Sequence, residues 1–233
     1  MCGIIALQSP PNPELPKLIE TLLEESQIRG KHATGISYCE GGAVKTIKEP
    51  VSADQFQLPP FEEELSLIGH CRYSTSDLAY NQPIADESDA IAHNGVITQS
   101  AHEQWGEKFG YQCSTKNDSE LALHSIKAGK CPLVEFPDSS IAIVHLDAHG
   151  RINFGRNGSR PLWWCDYGAI FIVASTSDIL VRAFKRMGWP KPTLTECHAG
   201  AWHSRGHGIL SSSRVAELED KQIQLKNNYP PIK

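Results

Sequence analysis

Met1-Cys2-Gly3-Ile4-Ile5-Ala6-Leu7 opens the chain, and residues 2–7 read as a buried strand, since the apolar run from Ile4 leaves no polar face. A cysteine directly behind the initiator Met carries a second meaning. A small second residue permits removal of Met1, which leaves a thiol and a free α-amine on one residue. That amine has a reference pKa of ~7.7–8.0, so it can accept a proton near neutrality without help from a histidine. A thiolate formed beside it is an acyl-transfer nucleophile, as in the threonine version of the arrangement. Taken alone, a cysteine in this position is more often a small buried residue.

Outward from this strand, Asn12 offers an N-cap with Pro13 at the first helical position. Leu15, Leu18, Ile19, Leu22 and Leu23 follow at helical spacing, predicting a helix to about Ile28 that Gly30 stops. Residues 34–38 and 43–48 form a hairpin closed by Gly41-Gly42. Strands are predicted at 65–73 and 90–98, with helices at 101–109 and after Asn117-Asp118. A second hairpin pairs 140–147 with 151–155, a strand covers 169–174, and Thr176 or Ser177 caps a helix to about Arg186. The adjacent Trp163 and Trp164 face opposite sides if they lie on a strand, one in the core and one covering an edge or partner. Strands interspersed with helices imply a mixed α and β domain, without fixing its topology.

The chain of 233 residues suffices for one substantial core, and 40% hydrophobic with 21% charged residues excludes disorder and fibre. A net charge of −5 gives no basic footprint for nucleic acid. No apolar run reaches membrane-spanning length, and the N-terminus lacks the features of a signal peptide. Seven cysteines, widely spaced and without a C-x-x-C pair, favour reduced thiols and a cytoplasmic setting. One domain is expected over 1–233, with a loose tail at 227–233.

Several blocks stand in a fixed order: Met1-Cys2-Gly3-Ile4, Arg29-Gly30-Lys31-His32-Ala33-Thr34-Gly35, Gly69-His70-Cys71-Arg72-Tyr73-Ser74-Thr75 and Asn81-Gln82-Pro83. Then come Ala92-His93-Asn94-Gly95-Val96-Ile97, Asn117-Asp118-Ser119-Glu120 and Gly155-Arg156-Asn157-Gly158-Ser159-Arg160-Pro161-Leu162. This set, from Cys2 to about Leu180, resembles the class II glutamine amidotransferases, whose glutaminase domains carry an N-terminal nucleophile. The resemblance implies an α+β fold, the four-layer αββα sandwich of the N-terminal-nucleophile hydrolases. Residues 181–226 would complete it.

The resemblance also implies roles. Cys2 matches the nucleophile that attacks the glutamine side-chain amide. Asn94 and Gly95 match an oxyanion hole, Arg72 the residue that holds the substrate α-carboxylate, and Asp118 the partner of its α-ammonium. Thr75 matches a loop residue framing the glutamine, and Arg29 has a supporting role near the nucleophile. Each has a plainer meaning in isolation: a turn for Asn94-Gly95, a surface ion pair for Arg72, an N-cap for Asp118. The sequence departs from the family pattern at His32, where aspartate is usual, at Tyr73, where tryptophan is common, and at Gln82, where histidine often precedes proline. Ser76-Asp77 replaces a more familiar His-Gly.

No cofactor and no metal are expected. His198, His203 and His207 lie near Cys197, but their spacing matches no zinc pattern. His70 and His93 are not needed as bases and read as structural. No G-x-x-x-x-G-K-[ST] loop occurs, and some fifty residues after the blocks are too few for a synthase domain. The expected reaction is hydrolysis of glutamine to glutamate and ammonia, passed to a separate synthase or transferase. Hydrolysis of other γ-glutamyl amides and a non-catalytic glutamine-sensing or scaffold subunit are the alternatives.

Overall fold

The computed structural model describes residues 2–61, 63–73, 80–158, 160–206 and 208–214. The first strands along the chain are β1 (Gly3–Ser9), β2 (Ala33–Glu40), β3 (Ala43–Glu49), β4 (Leu65–Arg72), β5 (Ile84–Ala85), β6 (Asp89–Val96) and β7 (Ser140–Asp147). They are followed by β8 (Ile152–Arg156), β9 (Trp163–Tyr167), β10 (Ile170–Ala174), β11 (Thr195–Glu196), β12 (Ala201–Gly206) and β13 (Ile209–Arg214). The helices are α1 (Leu15–Ser26), α2 (Trp105–Phe109), α3 (Ser119–Lys127), α4 (Pro132–Glu135) and α5 (Ser177–Met187).

β1 is buried along its whole length and sits in the middle of a seven-stranded antiparallel sheet of order β11-β9-β10-β1-β4-β2-β3. A second antiparallel sheet has the order β13-β12-β8-β7-β6-β5. Alternation along β1 explains its burial. Ile5 and Leu7 face α1 and α5, while Ile4 and Ala6 face the other sheet, where they meet Val144 and Phe154. The outer face of the second sheet, through Ile91, Ile141 and Ile143, packs on Leu121 and Leu123 of α3 and Leu133 of α4. Three apolar seams between four layers make the αββα sandwich.

α1 starts at Leu15, two residues later than Pro13 predicts. The Asn12 side chain accepts from Glu14 N at 2.9 Å and its carbonyl from Leu15 N at 3.1 Å. That closes a turn before the helix, and Pro16 then sits in the first turn, where a missing N–H costs nothing. The Gly41-Gly42 hairpin forms as expected, with Glu40 opposite Ala43 and both glycines at positive φ (60° and 76°), the conformation of a two-residue turn. Residues 101–109 divide into a 3₁₀ turn, His102–Gln104, and the short α2. Trp163 and Trp164 do face opposite sides of β9, but both pack on cores, Trp163 on the α1/α5 seam and Trp164 between the sheets. β11 extends the first sheet and β12 and β13 the second, so residues 195–214 help build both layers. Thr75, Ser76, Asp77 and the tail 227–233 lie outside the described residues. Among the described residues no helix is long and apolar enough to cross a membrane.

Candidate active site

Strand register brings the site together. Gly3 lies opposite Cys71 and Ala33 opposite Arg72, so the starts of β1 and β2 meet the end of β4. The backbones approach closely there: a Cβ on Gly30 would lie 2.2 Å from the Arg72 carbonyl carbon, and one on Gly3 would lie 2.5 Å from Ser26 O. β6 contributes Asn94 and Gly95 from the facing sheet.

Residue 2 is fixed from the second sheet and from the 3₁₀ turn that follows α1. Cys2 N–H donates to Asn94 Oδ1 at 3.1 Å, and Arg29 Nε donates to Cys2 O at 2.9 Å. Next along the strand, Ile4 N donates to Ser175 Oγ at 2.8 Å and its carbonyl accepts from Ser175 N at 3.0 Å. Arg29 is half-buried, and desolvation lowers its pKa against the favourable fields of Asp178 and Cys2. The Asn94 side chain is 2% exposed, and its Nδ2 has no hydrogen-bond partner among the described residues. An unpaired buried amide donor costs roughly 1–3 kcal/mol, so its retention beside Cys2 calls for a function.

A cleft of ≈ 570 Å³ opens at this point, lined by Cys2, Arg72, Gly95 and Asp118 among others. Asn94 and Arg29 do not line it but are bonded to Cys2, which does. Arg72 is oriented by a loop: its NH1 donates to Tyr80 O at 3.1 Å and Asn81 Oδ1 at 2.7 Å. Asn117 Nδ2 donates to the same Tyr80 carbonyl at 2.9 Å, and Lys48 Nζ donates to Asn81 O and Pro83 O at 3.0 and 3.1 Å. Asp118 precedes α3 but makes no side-chain cap. Its Oδ2 instead accepts from Ile97 N at 2.6 Å and Thr98 N at 3.3 Å, fixing the chain just beyond β6.

Gly95 has φ +153°, and a Cβ there would lie 1.7 Å from Ser140 O, so both backbone and space demand glycine. Gln82 and Asn157 hold the strand segments beside it. Gln82 accepts from His93 N at 2.6 Å and donates to His93 O at 3.1 Å, continuing the ladder where β5 has ended. Asn157 holds Ile141, the register partner of Gly95: its side-chain Oδ1 accepts from Ile141 N and its backbone N–H donates to Ile141 O, at 3.0 Å each. Lys48, Gln82 and Asn157 thus position the site by bonds to distant segments. Gln82 and Asn157 lie within the quoted blocks, but their partners are invisible in the sequence.

Two histidines near the site are held below their ordinary pKa. Burial pushes the His93 pKa below its usual value despite the opposing pull of Asp118, and its ring nitrogens bond Ser119 Oγ and Ser140 O. Burial, then the charges of Arg72 and His93, push His70 down to about 3. Both are therefore poor proton acceptors near neutrality. Two departures from the family pattern touch each other: the His32 ring stacks on Tyr73 with centroids 5.0 Å apart. Of the C-terminal histidines, His203 bonds Ser212 Oγ at 2.6 Å and stacks on Phe154, and His207 is outside the described residues.

No protein-family model matches the sequence, and no curated protein matches it. Solved structures do. A glutamine phosphoribosylpyrophosphate amidotransferase from B. subtilis, complexed with ADP and GMP, superposes with TM-score 0.71 at 21% identity over 92% of this chain and 49% of its own. A structure described as the allosteric regulatory enzyme of purine biosynthesis gives TM-score 0.73 at 23% identity, again over 92% and 49%. The fold is that of the N-terminal-nucleophile hydrolases. The chain spans about half the length of those two structures. A glutamine aminotransferase class-II domain protein from Silicibacter pomeroyi, with TM-score 0.55 and 11% identity, is covered over 99% of its length. This two-sheet fold is thus shared with these structures over most of this chain.

Proposed function

We propose that the protein is a glutamine amidohydrolase of the class II amidotransferase type, with Cys2 as nucleophile once Met1 is removed. The observation that carries this reading is the contact of Cys2 N with Asn94 Oδ1 at 3.1 Å while Asn94 Nδ2 remains buried and unpaired. The freed α-amine of Cys2 takes the thiol proton as sulfur attacks the amide carbon of glutamine. Negative charge moves to the amide oxygen, where Asn94 Nδ2 and the Gly95 N–H stabilise it. Ile141 has both backbone groups on Asn157, so the two-residue period of β6 turns the Gly95 N–H to the edge where Gln82 bonds His93. The carbon–nitrogen bond then breaks, and the α-ammonium returns its proton to the departing ammonia. Water, deprotonated by the same amine, cleaves the thioester to glutamate.

Binding is assigned to Arg72 for the α-carboxylate and Asp118 for the α-ammonium, which share the cleft with Cys2. Thr75 is proposed to frame the glutamine, and Arg29 to position Cys2 through its carbonyl. The ammonia is proposed to pass to a separate synthase or transferase, in a cytoplasmic setting. Ammonia release from glutamine by purified protein, with an intact mass showing loss of Met1, tests the reading. Cys2→Ala should abolish release while glutamine still binds. Release at the wild-type rate by Cys2→Ala would refute it.

A further inference from the structure

At α3, three metal-ligating side chains that do not line the Cys2 cleft converge: Cys113, Glu120 and His124. We propose that they bind a zinc-class divalent ion that staples the segment before Asp118 to α3. The thiol sulfur, a carboxylate oxygen and a ring nitrogen all lie within 4.8 Å of one another. Tetrahedral zinc holds its ligand atoms ~2.0–2.3 Å away, which puts them roughly 3.3–3.8 Å from each other. Glu120 Oε1 and His124 Nε2, four residues apart on one helix face, are already 3.6 Å apart. Bringing the sulfur into the same geometry needs a shift of about an ångström.

The surroundings orient the donors. Ser114 N–H and Oγ–H both donate to Glu120 Oε1 at 2.8 Å, and Thr115 N–H donates to Oε2 at 2.7 Å. A carboxylate has about four lone-pair sites, and the main-chain and side-chain bonds from Ser114 and Thr115 take them up, so an ion at Oε1 replaces the Ser114 Oγ–H bond. Tyr111 stacks on the His124 ring with centroids 5.6 Å apart and planes at 14°. His124 Nε2 is shielded from solvent, and no hydrogen bond reaches it among the described residues.

A loop merely tied to Glu120 would use neither Cys113 nor His124 Nε2, whereas a shared ion uses both. Thiolate with imidazole selects zinc over magnesium or calcium, which prefer oxygen. Three protein ligands leave a fourth position for water. Burial pushes the Cys113 thiol up to about 12, so an incoming ion must displace that proton. The ion's role is positional: Cys113 leads through Lys116 and Asn117 to Asp118, and these three line the Cys2 cleft.

The test uses the full chain carrying Cys2→Ala, because a terminal thiol and amine would themselves chelate. Chelator-treated protein is titrated with Co²⁺ and then Zn²⁺. The expected result is one ion per chain, with a thiolate-to-cobalt charge-transfer band. Cys113→Ser should remove the band, and both it and His124→Gln should weaken zinc binding by about tenfold or more. No band, or an unchanged band and affinity in Cys113→Ser, would overturn the site. If a variant does not fold, as judged by circular dichroism in chelator, alkylation of Cys113 in the parent decides. Protection by zinc supports the site and its absence overturns it. None of these readouts depends on glutaminase activity.

Discussion

In the proposed mechanism the side chain of Asn94 serves two ends of the reaction. Its oxygen receives the Cys2 N–H, and its nitrogen is buried without a partner. Asn94→Ala should lower kcat by ~10²–10³, the usual cost of one oxyanion donor. Asn94→Asp should lower it further, because a carboxylate would face the developing charge. KM should change less in both, since the neutral amide carries little of that charge before attack. Steady-state kinetics of the two variants checks this, and near-normal kcat in both would make Asn94 a turn residue. At this scale the proposed roles of Cys2, Arg72, Asn94, Gly95 and Asp118 come from the ordered blocks alone, and the local reading of Asp118 as a side-chain cap fails. An aspartate before a helix reads as an N-cap, yet its carboxylate bonds Ile97 N, twenty-one residues earlier. A bond of that span leaves no local trace. The same holds for Gln82, whose amide replaces a strand for His93.

Among the elements, β6 carries the most constraint. It begins on the ladder with β5, continues on the side chain of Gln82, and reaches the cleft at Gly95. Gly95→Ala should destabilise the fold by at least roughly 1–3 kcal/mol for the backbone conformation alone, with the clash against Ser140 O adding to this. A thermal melt with a lowered Tm, alongside lost activity, is the expected outcome; an unchanged Tm would show that the strand end relaxes freely. Strands with strong apolar runs or clear turn residues, such as β1, the β2–β3 hairpin and β7, are legible in the sequence. β11, with two residues, and α4, with four, are too short to set a period and exist through packing. α1 begins late because Asn12 and Pro13 build a turn first.

For the molecule as a whole, layering followed from the residues only in part. Alternation in β1 requires a cover on both faces, but pairing of β1 with β10, with Ile5 opposite Ala174, is a property of topology. That layering buries His70, which carries a pH signature. Its folded pKa, near 3, lies below the ordinary value of 6.5. The unfolded chain therefore binds this proton first, and stability falls as pH drops below about 6.5, continuing to about 3. Melts of wild type and His70→Gln between these limits should show a shallower acid loss in the variant. Parallel curves would mean that His70 does not set this dependence.

The chemistry proposed for the sandwich rests on the α-amine of Cys2 acting as the base. Glutaminase assay of a chain extended before Cys2 by residues that cannot be removed probes this directly, with wild type of confirmed N-terminal mass beside it. The extension converts the amine to an amide that has no basic lone pair, while Cys2, Asn94, Gly95 and Arg72 all remain. Wild type should release ammonia from glutamine, and the extended, folded protein should release none above background. Equal release by both would contradict the N-terminal-nucleophile mechanism.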